Sequence, residues 1–280
     1  MWRKGCAPFW RRENPRGAIA DRAFSMARFE IKITRDRSEI REAQRLRFEV
    51  FNLEMQKGLQ ASYRQGLDVD DYDPLCDHLI VRDPNNKKVV GTYRLLRSSQ
   101  ALSHLGFYSE REFALDNIKR LSGESLELGR SCAHKDYRDK ALISFMWDAI
   151  ADYVKRHNVR YIFGCASLLT TEAWDVSRFY SYLKENFYAA EYLRVYPVPD
   201  KIFPGLDENV IIANGESIFM RLPSLIKGYL RIGARLCGPP ALDAEFGTTD
   251  LFLFLDVGEM SAEYKQRFGL TGPGRRHAAG

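Results

Sequence analysis

Apolar and polar residues first fall into register at Phe29–Thr34 (FEIKIT), where every second position is apolar, as in a half-buried strand. Asp36-x-x-Glu39 then has capping-box spacing, with Asp as the cap. Ile40, Ala43, Leu46, Val50 and Leu53 recur at threes and fours, which predicts an amphipathic helix over about 37–55. Arg47 and Phe51 lie one turn apart on its adjacent face. A polar stretch, 56–77, ends in an acidic run (Asp68, Asp70, Asp71, Asp73, Asp77). His78–Arg82 and Val89–Leu96 read as two apolar strands, and Asp83–Lys87 between them has the composition of a hairpin turn.

Residues 101–123 are expected to be loop, with a short helix about 109–120. A strand follows over 125–134 (SLELGRSCAH), then a loop at 135–139 and a helix at 140–157 with Leu142, Ile143, Met146, Trp147, Ile150 and Val154 on one face. Arg160–Ala166 is predicted as a central strand and 171–185 as an aromatic amphipathic helix. Tyr192–Val198 and Val210–Ala213 read as short strands. The pattern over 224–236 predicts a helix with a basic stripe, Lys227, Arg231 and Arg235 at i, i+4 and i+8, stopped by Gly238-Pro-Pro. Thr249–Val257 is a strand and 259–267 a last short helix. This order predicts an α/β (α+β) domain with a mixed central sheet flanked by helices. The expected division is a disordered basic tail at 1–28, one domain at 29–268 and a disordered tail at 269–280.

Composition narrows the function classes. Six Lys/Arg against Glu13 and Asp21 place +4 of the +5 formal charge in residues 1–26, so the rest of the chain is close to neutral. A basic balance confined to one end, without an RNA or DNA motif, does not point to nucleic acid. The five cysteines (Cys6, Cys76, Cys132, Cys165, Cys237) are single, odd in number and without metal spacing, which favours a reducing, cytoplasmic setting over a disulfide framework. No apolar run approaches the roughly 18–20 residues that span a bilayer, and the basic start lacks the apolar core of a secretory signal. Residues 1–25 precede Met26 and read as a tail or an upstream extension.

The chemistry centres on Glu127-Leu-Gly-Arg130. Residues i and i+3 of a strand face opposite sides; a bulge between them would bring both charges to one side. A charged pair in an apolar strand needs partners, so the tetrapeptide reads as a structural ion pair, as solvent-facing charges or as a functional pair. The acidic run fits no EF-hand loop, and no metal is expected.

Four segments in order, Arg47-x-x-x-Phe51, Asp70-x-x-Asp73, Arg94 within VGTYRLL, and Glu127-x-x-Arg130, resemble the signature of acyl-homoserine-lactone synthases, GNAT-like acyltransferases. The likeness is closer to the acyl-carrier-protein-dependent ornithine acyltransferases of ornithine-lipid synthesis, often called hemolysin-like. CDHLIV (76–81), VVGTYRLL (89–96), ELGRSCAH (127–134), DYR (136–138), YLRVYPVPD (192–200) and PPALDAEFGTTDLFLFLDV (239–257) carry it, over roughly 29–268. The resemblance implies a GNAT-like fold with a C-terminal extension. It also implies transfer of a fatty acyl group, often 3-hydroxylated, from acyl carrier protein to the α-amine of L-ornithine, with no cofactor beyond the donor's phosphopantetheine. The basic stripe of 224–236 reads as a solvated face, as a contact for the acidic carrier protein or as a peripheral contact with the anionic inner membrane surface.

On that resemblance, Glu127 would accept the proton of the attacking amine or only anchor Arg130. Asp70 and Asp73 suit an ammonium; Arg94 or Arg130 suits the acceptor's carboxylate, and Arg47 belongs to the same substrate-binding set. Arg138 would contact the donor's phosphate, although Arg138-Asp-Lys-Ala-Leu-Ile143 lacks the glycines of the usual GNAT phosphate turn. Tyr182, in Tyr-Leu-Lys-Glu-Asn-Phe187, would protonate the leaving thiolate or simply pack. Cys132 and Cys165 read as small buried apolar residues. Another acceptor (lysine, glutamine, glycine or S-adenosylmethionine) keeps the chemistry. A membrane-active hemolysin, the alternative of a different class, has no spanning segment, signal or repeat behind it.

Overall fold

The computed structural model describes residues 29–270. The expected tails lie outside the described residues, except for Gly269 and Leu270, whose amides close the last helix on Gln266 O and Lys265 O.

The strands are β1 (Glu30–Thr34), β2 (Asp77–Arg82), β3 (Val89–Arg97), β4 (Phe113–Ala114), β5 (Glu124–Ala133), β6 (Val159–Leu168), β7 (Tyr196–Pro197), β8 (Arg235–Leu236), β9 (Ala241–Asp243) and β10 (Thr248–Asp256). The helices are α1 (Arg37–Phe48), α2 (Ser98–Ala101), α3 (Asp116–Lys119), α4 (Lys140–Arg156), α5 (Ala173–Phe187), α6 (Gly215–Arg221), α7 (Ser224–Ile232) and α8 (Ala262–Arg267). The main sheet runs β1-β2-β3-β5-β6-β10-β8, with β9 added to β10; β4 and β7 form a separate pair. All its ladders are antiparallel except β5–β6, so the expected mixed sheet is present.

Alternation sorts side chains to the two faces. Leu79, Tyr93, Leu95, Leu126 and Leu128 pack under α4, against Leu142, Met146, Trp147 and Ile150. Leu142 and Ile150 are fully buried, and each contributes roughly 1.5–3 kcal/mol by leaving water. Ile143, expected on the same face, is 41% exposed instead. On the opposite face Ala43 and Leu46 of α1, with Val50 just after it, pack over Ile80, Val89 and Cys132. Farther along that face Leu96, Phe163, Phe252 and Phe254 pack against Phe107, Phe113 and Ile118 of the 98–123 excursion.

Helix α1 starts where its cap predicts: Asp36 accepts from Ser38 N and Glu39 N. It does not run to 55 as an α-helix. From Glu49 to Glu54 it widens to a π-turn, with Met55 N bonded to Val50 O. Four other expectations change. The 109–120 helix is a 3₁₀ turn (Tyr108–Arg111), β4 and the single turn of α3. The 192–198 strand reduces to two residues, since Pro197 and Pro199 have no amide for a ladder. No strand forms at 210–213. The basic helix stops at Ile232 because Gly233 turns to φ 120°, so Arg235 leaves the helical stripe for β8.

Candidate active site

The site is built on an irregularity in β5. Thr92 pairs with Cys132 but Arg94 with Gly129, so β5 holds one residue more than β3 over that interval. Arg130 absorbs the bulge at φ 48°, in the left-handed region. The extra residue turns Arg130 to the same face as Glu127, the one arrangement in which residues three apart on a strand meet. On the other edge, the parallel ladder with β6 ends at Glu127–Phe163. Just beyond, the backbones approach so closely that a Cβ on Gly164 would lie 2.3 Å from Leu128 O. Past that contact β5 and β6 run on to Ala133 and Leu168 without pairing, and a cavity of ≈ 470 Å³ opens between them.

Three arginines and three aspartates form a buried lattice beside the cavity. Arg47, 1% exposed, grips Asp73 with both terminal nitrogens (2.8 Å each), donates to Asp68 O and places Nε 3.0 Å from Asp68 Oδ2. Arg94 Nη1 lies 2.5 Å from Asp70 Oδ1 and 3.3 Å from Asp73 Oδ1. Arg130 reaches Asp70 Oδ2 (3.4 Å) and Asp68 Oδ2 (3.3 Å). Burial alone would push the Asp70 and Asp73 carboxyls up. The guanidiniums of Arg94 and Arg130 for Asp70, and of Arg47 and Arg94 for Asp73, hold both below the usual range. The fold brings Arg47, Asp70, Asp73, Arg94 and Arg130 together, but Arg47, Asp70 and Asp73 face one another's charges behind the cavity wall and do not line it, and Asp68 completes the set. Arg94 and Arg130 line the cavity. Both guanidiniums stack near the Tyr108 ring, at 5.2 and 4.8 Å from its centroid.

Glu127 is 4% exposed and also lines the cavity. Its carboxylate accepts from Tyr108 N (2.8 Å), Ser109 N (2.7 Å) and Ser109 Oγ (2.5 Å). It therefore holds the 108–111 turn in place, and one of its roughly four lone-pair positions is left for a further proton or donor. Burial raises its carboxyl above the usual range, against the pull of those three donors and of Arg94.

The rest of the lining divides by character. Val50, Phe51 and Met55 of the π-turn, with Met146 and Leu225, are apolar; Glu112, Asp243 and Asp250 are a second acidic group. Cys132 and Cys165 also border the cavity. Burial pushes the Cys132 thiol to about 12 and that of Cys165 well above normal, so both stay protonated.

Two sequence expectations land elsewhere. Tyr182 does not border the cavity: its ring packs between Phe187 and Phe219 (centroids 6.2 and 6.4 Å) and covers Gly215, where a Cβ would come within 2.8 Å of it. An acid role in the cavity is out of its reach. Arg138 does line the rim, but its guanidinium is engaged by Glu54 (2.5 and 2.7 Å) and Ala133 O (2.9 Å). The start of α4 is capped by Asp139, which accepts from Leu142 N. The sequence reading missed Glu112, Asp243 and Asp250. Asp250 did leave a signal, as a carboxylate inside the apolar run TDLFLFLDV.

Residues 46–148 match the acetyltransferase (GNAT) domain. The chain is 35% identical over 252 residues to an L-ornithine N(alpha)-acyltransferase of Brucella abortus, covering 86% of this chain and 88% of that protein. It is 34% identical to one of Rhodobacter capsulatus, over 88% of this chain and 97% of the relative. Among solved structures, the AHL synthase LasI aligns at TM-score 0.49 and 14% identity, over 89% of this chain and 97% of its own. The chain belongs to the L-ornithine Nα-acyltransferase family, with a GNAT acyltransferase domain at its centre.

Proposed function

We propose that the protein transfers a 3-hydroxyacyl or other fatty acyl group from the phosphopantetheine thioester of acyl carrier protein to the α-amine of L-ornithine. The product is lyso-ornithine lipid, at the first step of ornithine-lipid synthesis. The observation that carries this is 33–35% identity, over 86–88% of the chain, to four L-ornithine Nα-acyltransferases. The cavity supports it with an apolar wall for an acyl chain, two arginines for a carboxylate and a buried carboxylate beside them.

Glu127 takes the proton from the acceptor's ammonium, directly or through one water. The freed lone pair attacks the thioester carbonyl; a C–N bond forms, the C–S bond breaks, and the second proton, shed by the nitrogen as it becomes an amide, passes through solvent to the leaving thiolate. A thiolate is a competent leaving group, so this step needs neither Tyr182 nor a metal. Arg94 and Arg130 meet the acceptor's carboxylate, held in place by Asp68, Asp70 and Asp73. Arg138 reaches the donor's phosphate in exchange for Glu54. Because the product is an amphiphile, peripheral contact with the inner membrane surface belongs to the same proposal, through exposed Met220 and the nearby Lys227. Among the described residues no helix is long and apolar enough to cross a membrane.

The test is lipid mass spectrometry on a bacterial host that makes no ornithine lipid, expressing this chain. The expected species weighs ornithine plus one 3-hydroxyacyl group and is absent with Glu127→Gln. An acylated amino acid other than ornithine refutes the acceptor. No new lipid, with folded protein and charged carrier protein present, refutes the proposal as a whole.

A further inference from the structure

Glu112, Asp243 and Asp250 sit at the cavity, each at least nine-tenths buried (4%, 7% and 6% exposed), and have no part in the steps above. They come from distant places: the turn before β4, the end of β9 and the third residue of β10. Ligand atoms of Glu112, Cys165 and Asp250 lie within 4.8 Å of one another. Asp243 spends one oxygen on the amides of Glu245 (3.1 Å) and Phe246 (3.3 Å), and Asp250 Oδ1 accepts from Thr248 Oγ1 (3.3 Å). Glu112 Oε2 is buried with no hydrogen-bond partner among the described residues.

The contrast with the neighbouring lattice is chemical. Asp68, Asp70 and Asp73 are each matched by arginine. Among the described residues no Lys or Arg forms an ion pair with Glu112, Asp243 or Asp250. Buried carboxylates without a counter-charge are costly; burial, the nearby Asp250 and Asp243 charges and a hydrogen bond shared with Asp250 push Glu112 well up, and burial and Asp243 push Asp250 up. Such a group is eased by a cation that arrives with the ligand. An ammonium, with three N–H donors, can meet Glu112 Oε2 and Asp250 together. The cluster also lies within reach of the proton acceptor. Cys165, beside Glu112, donates to Ser109 Oγ (3.3 Å), and Ser109 Oγ donates to Glu127.

We propose that Glu112 and Asp250, backed by Asp243, bind the side-chain ammonium of a diamino-acid acceptor and so select it over neutral amino acids. This rests on the acyl-transfer function proposed above. The two chemistries then divide the acceptor: Glu127 deprotonates its α-amine, and the second acidic group holds its far end and keeps that amine protonated, hence unreactive.

The experiment compares ornithine with norvaline, which has the same carbon chain but no terminal amine. It uses the full-length protein and acylated carrier protein. Wild type should prefer ornithine by roughly 100-fold or more in kcat/KM, as expected when a buried polar site is left unmatched by an analogue. Glu112→Gln and, separately, Asp250→Asn should lower kcat/KM for ornithine roughly 10- to 100-fold, through KM. Both should leave norvaline within about two-fold, so that the preference collapses. Glu112→Gln keeps the size and shape of the side chain without its ionisable group and should melt no lower than wild type, which separates a binding effect from unfolding. An unchanged preference in both folded variants, or an equal loss on both substrates, overturns the proposal. So does a divalent metal that copurifies with wild type and is missing from Glu112→Gln. If wild type acylates no ornithine at all, the proposed function fails first; if it does and the variants keep the preference, only the assignment of this site fails.

Discussion

Arg47 is the largest fully buried side chain among the described residues, and its removal tests whether the arginine–aspartate lattice holds the site together. In Arg47→Met, Asp73 keeps Gln44 Nε2 (2.9 Å), the Asp70 amide (3.3 Å) and Arg94 Nη1 (3.3 Å), and Asp68 keeps Arg130 Nε at 3.3 Å. Removing one partner of a buried ion pair costs about 3–5 kcal/mol, because the other charge is left uncompensated. At about 2–4 °C per kcal/mol for a chain of this size, Tm should fall by roughly 6–20 °C. The loss should depend on pH in a defined sense. Asp73 is depressed in the folded state, so its contribution is present above the usual 3.8 and is lost as pH falls through the folded value. The gap between wild type and variant is therefore widest at neutral pH and narrows as pH drops below about 5. Urea unfolding at several pH values measures this. The double variant Arg47→Met/Asp73→Leu, which leaves no orphaned Asp73 charge, should recover much of the loss. An Arg47→Met protein within about 1 kcal/mol of wild type at pH 7 would refute the reasoning, as would a gap that stays constant with pH.

Gly164→Ala puts a Cβ against Leu128 O; forcing the two strands apart should cost about 1–3 kcal/mol by thermal melting, and an unchanged Tm would contradict the close approach. Tyr182→Phe should keep wild-type kcat in the acyl-transfer assay, since the ring packs on Phe187 and Phe219 away from the cavity; a loss of roughly 100-fold or more would restore it as an acid. With saturating ornithine, kcat should fall as pH drops through the Glu127 pKa, because only the ionised carboxylate accepts a proton; burial places that limb above the usual 4.5, and a limb at or below it would count against Glu127 as the base.

The sheet was readable because its strands carry the burial pattern in their own residues. FEIKIT alternates and lies at the edge; VVGTYRLL is apolar almost throughout and is buried on both faces of the sheet. The helix at 140–156 was readable for the same reason. The elements that went astray are ruled by backbone geometry that composition does not encode. The π-turn at Glu49–Glu54 follows an unbroken helical pattern yet changes its bonding, and it is where Val50, Phe51 and Met55 turn to the cavity. Gly233 ends α7 at Ile232, although the basic stripe keeps helical spacing to Arg235. Ile143 keeps helical spacing with its neighbours but lines the cavity instead of the core.

The site shows the same division for charge. Arg47, Asp70, Asp73, Arg94, Glu127 and Arg130 converge, and the bulge that strand geometry offered as the way to bring Glu127 and Arg130 to one side is present in β5. Which charge answers which is a tertiary fact. Along the chain, the acidic run looks like a surplus waiting for a cation; in the fold, Asp68, Asp70 and Asp73 are consumed by three arginines from α1, β3 and β5, and the lattice closes near neutrality. The surplus lies instead in Glu112, Asp243 and Asp250, which no sequence motif groups and which 138 positions separate at the extremes. Asp250 was the one legible member, because a carboxylate near the head of the apolar run TDLFLFLDV, in a strand buried through Leu255, has no bland explanation in solvent exposure. Counting buried charges against their partners, rather than counting charges along the chain, is what moves the cation-binding role from the acidic loop to the far end of the cavity.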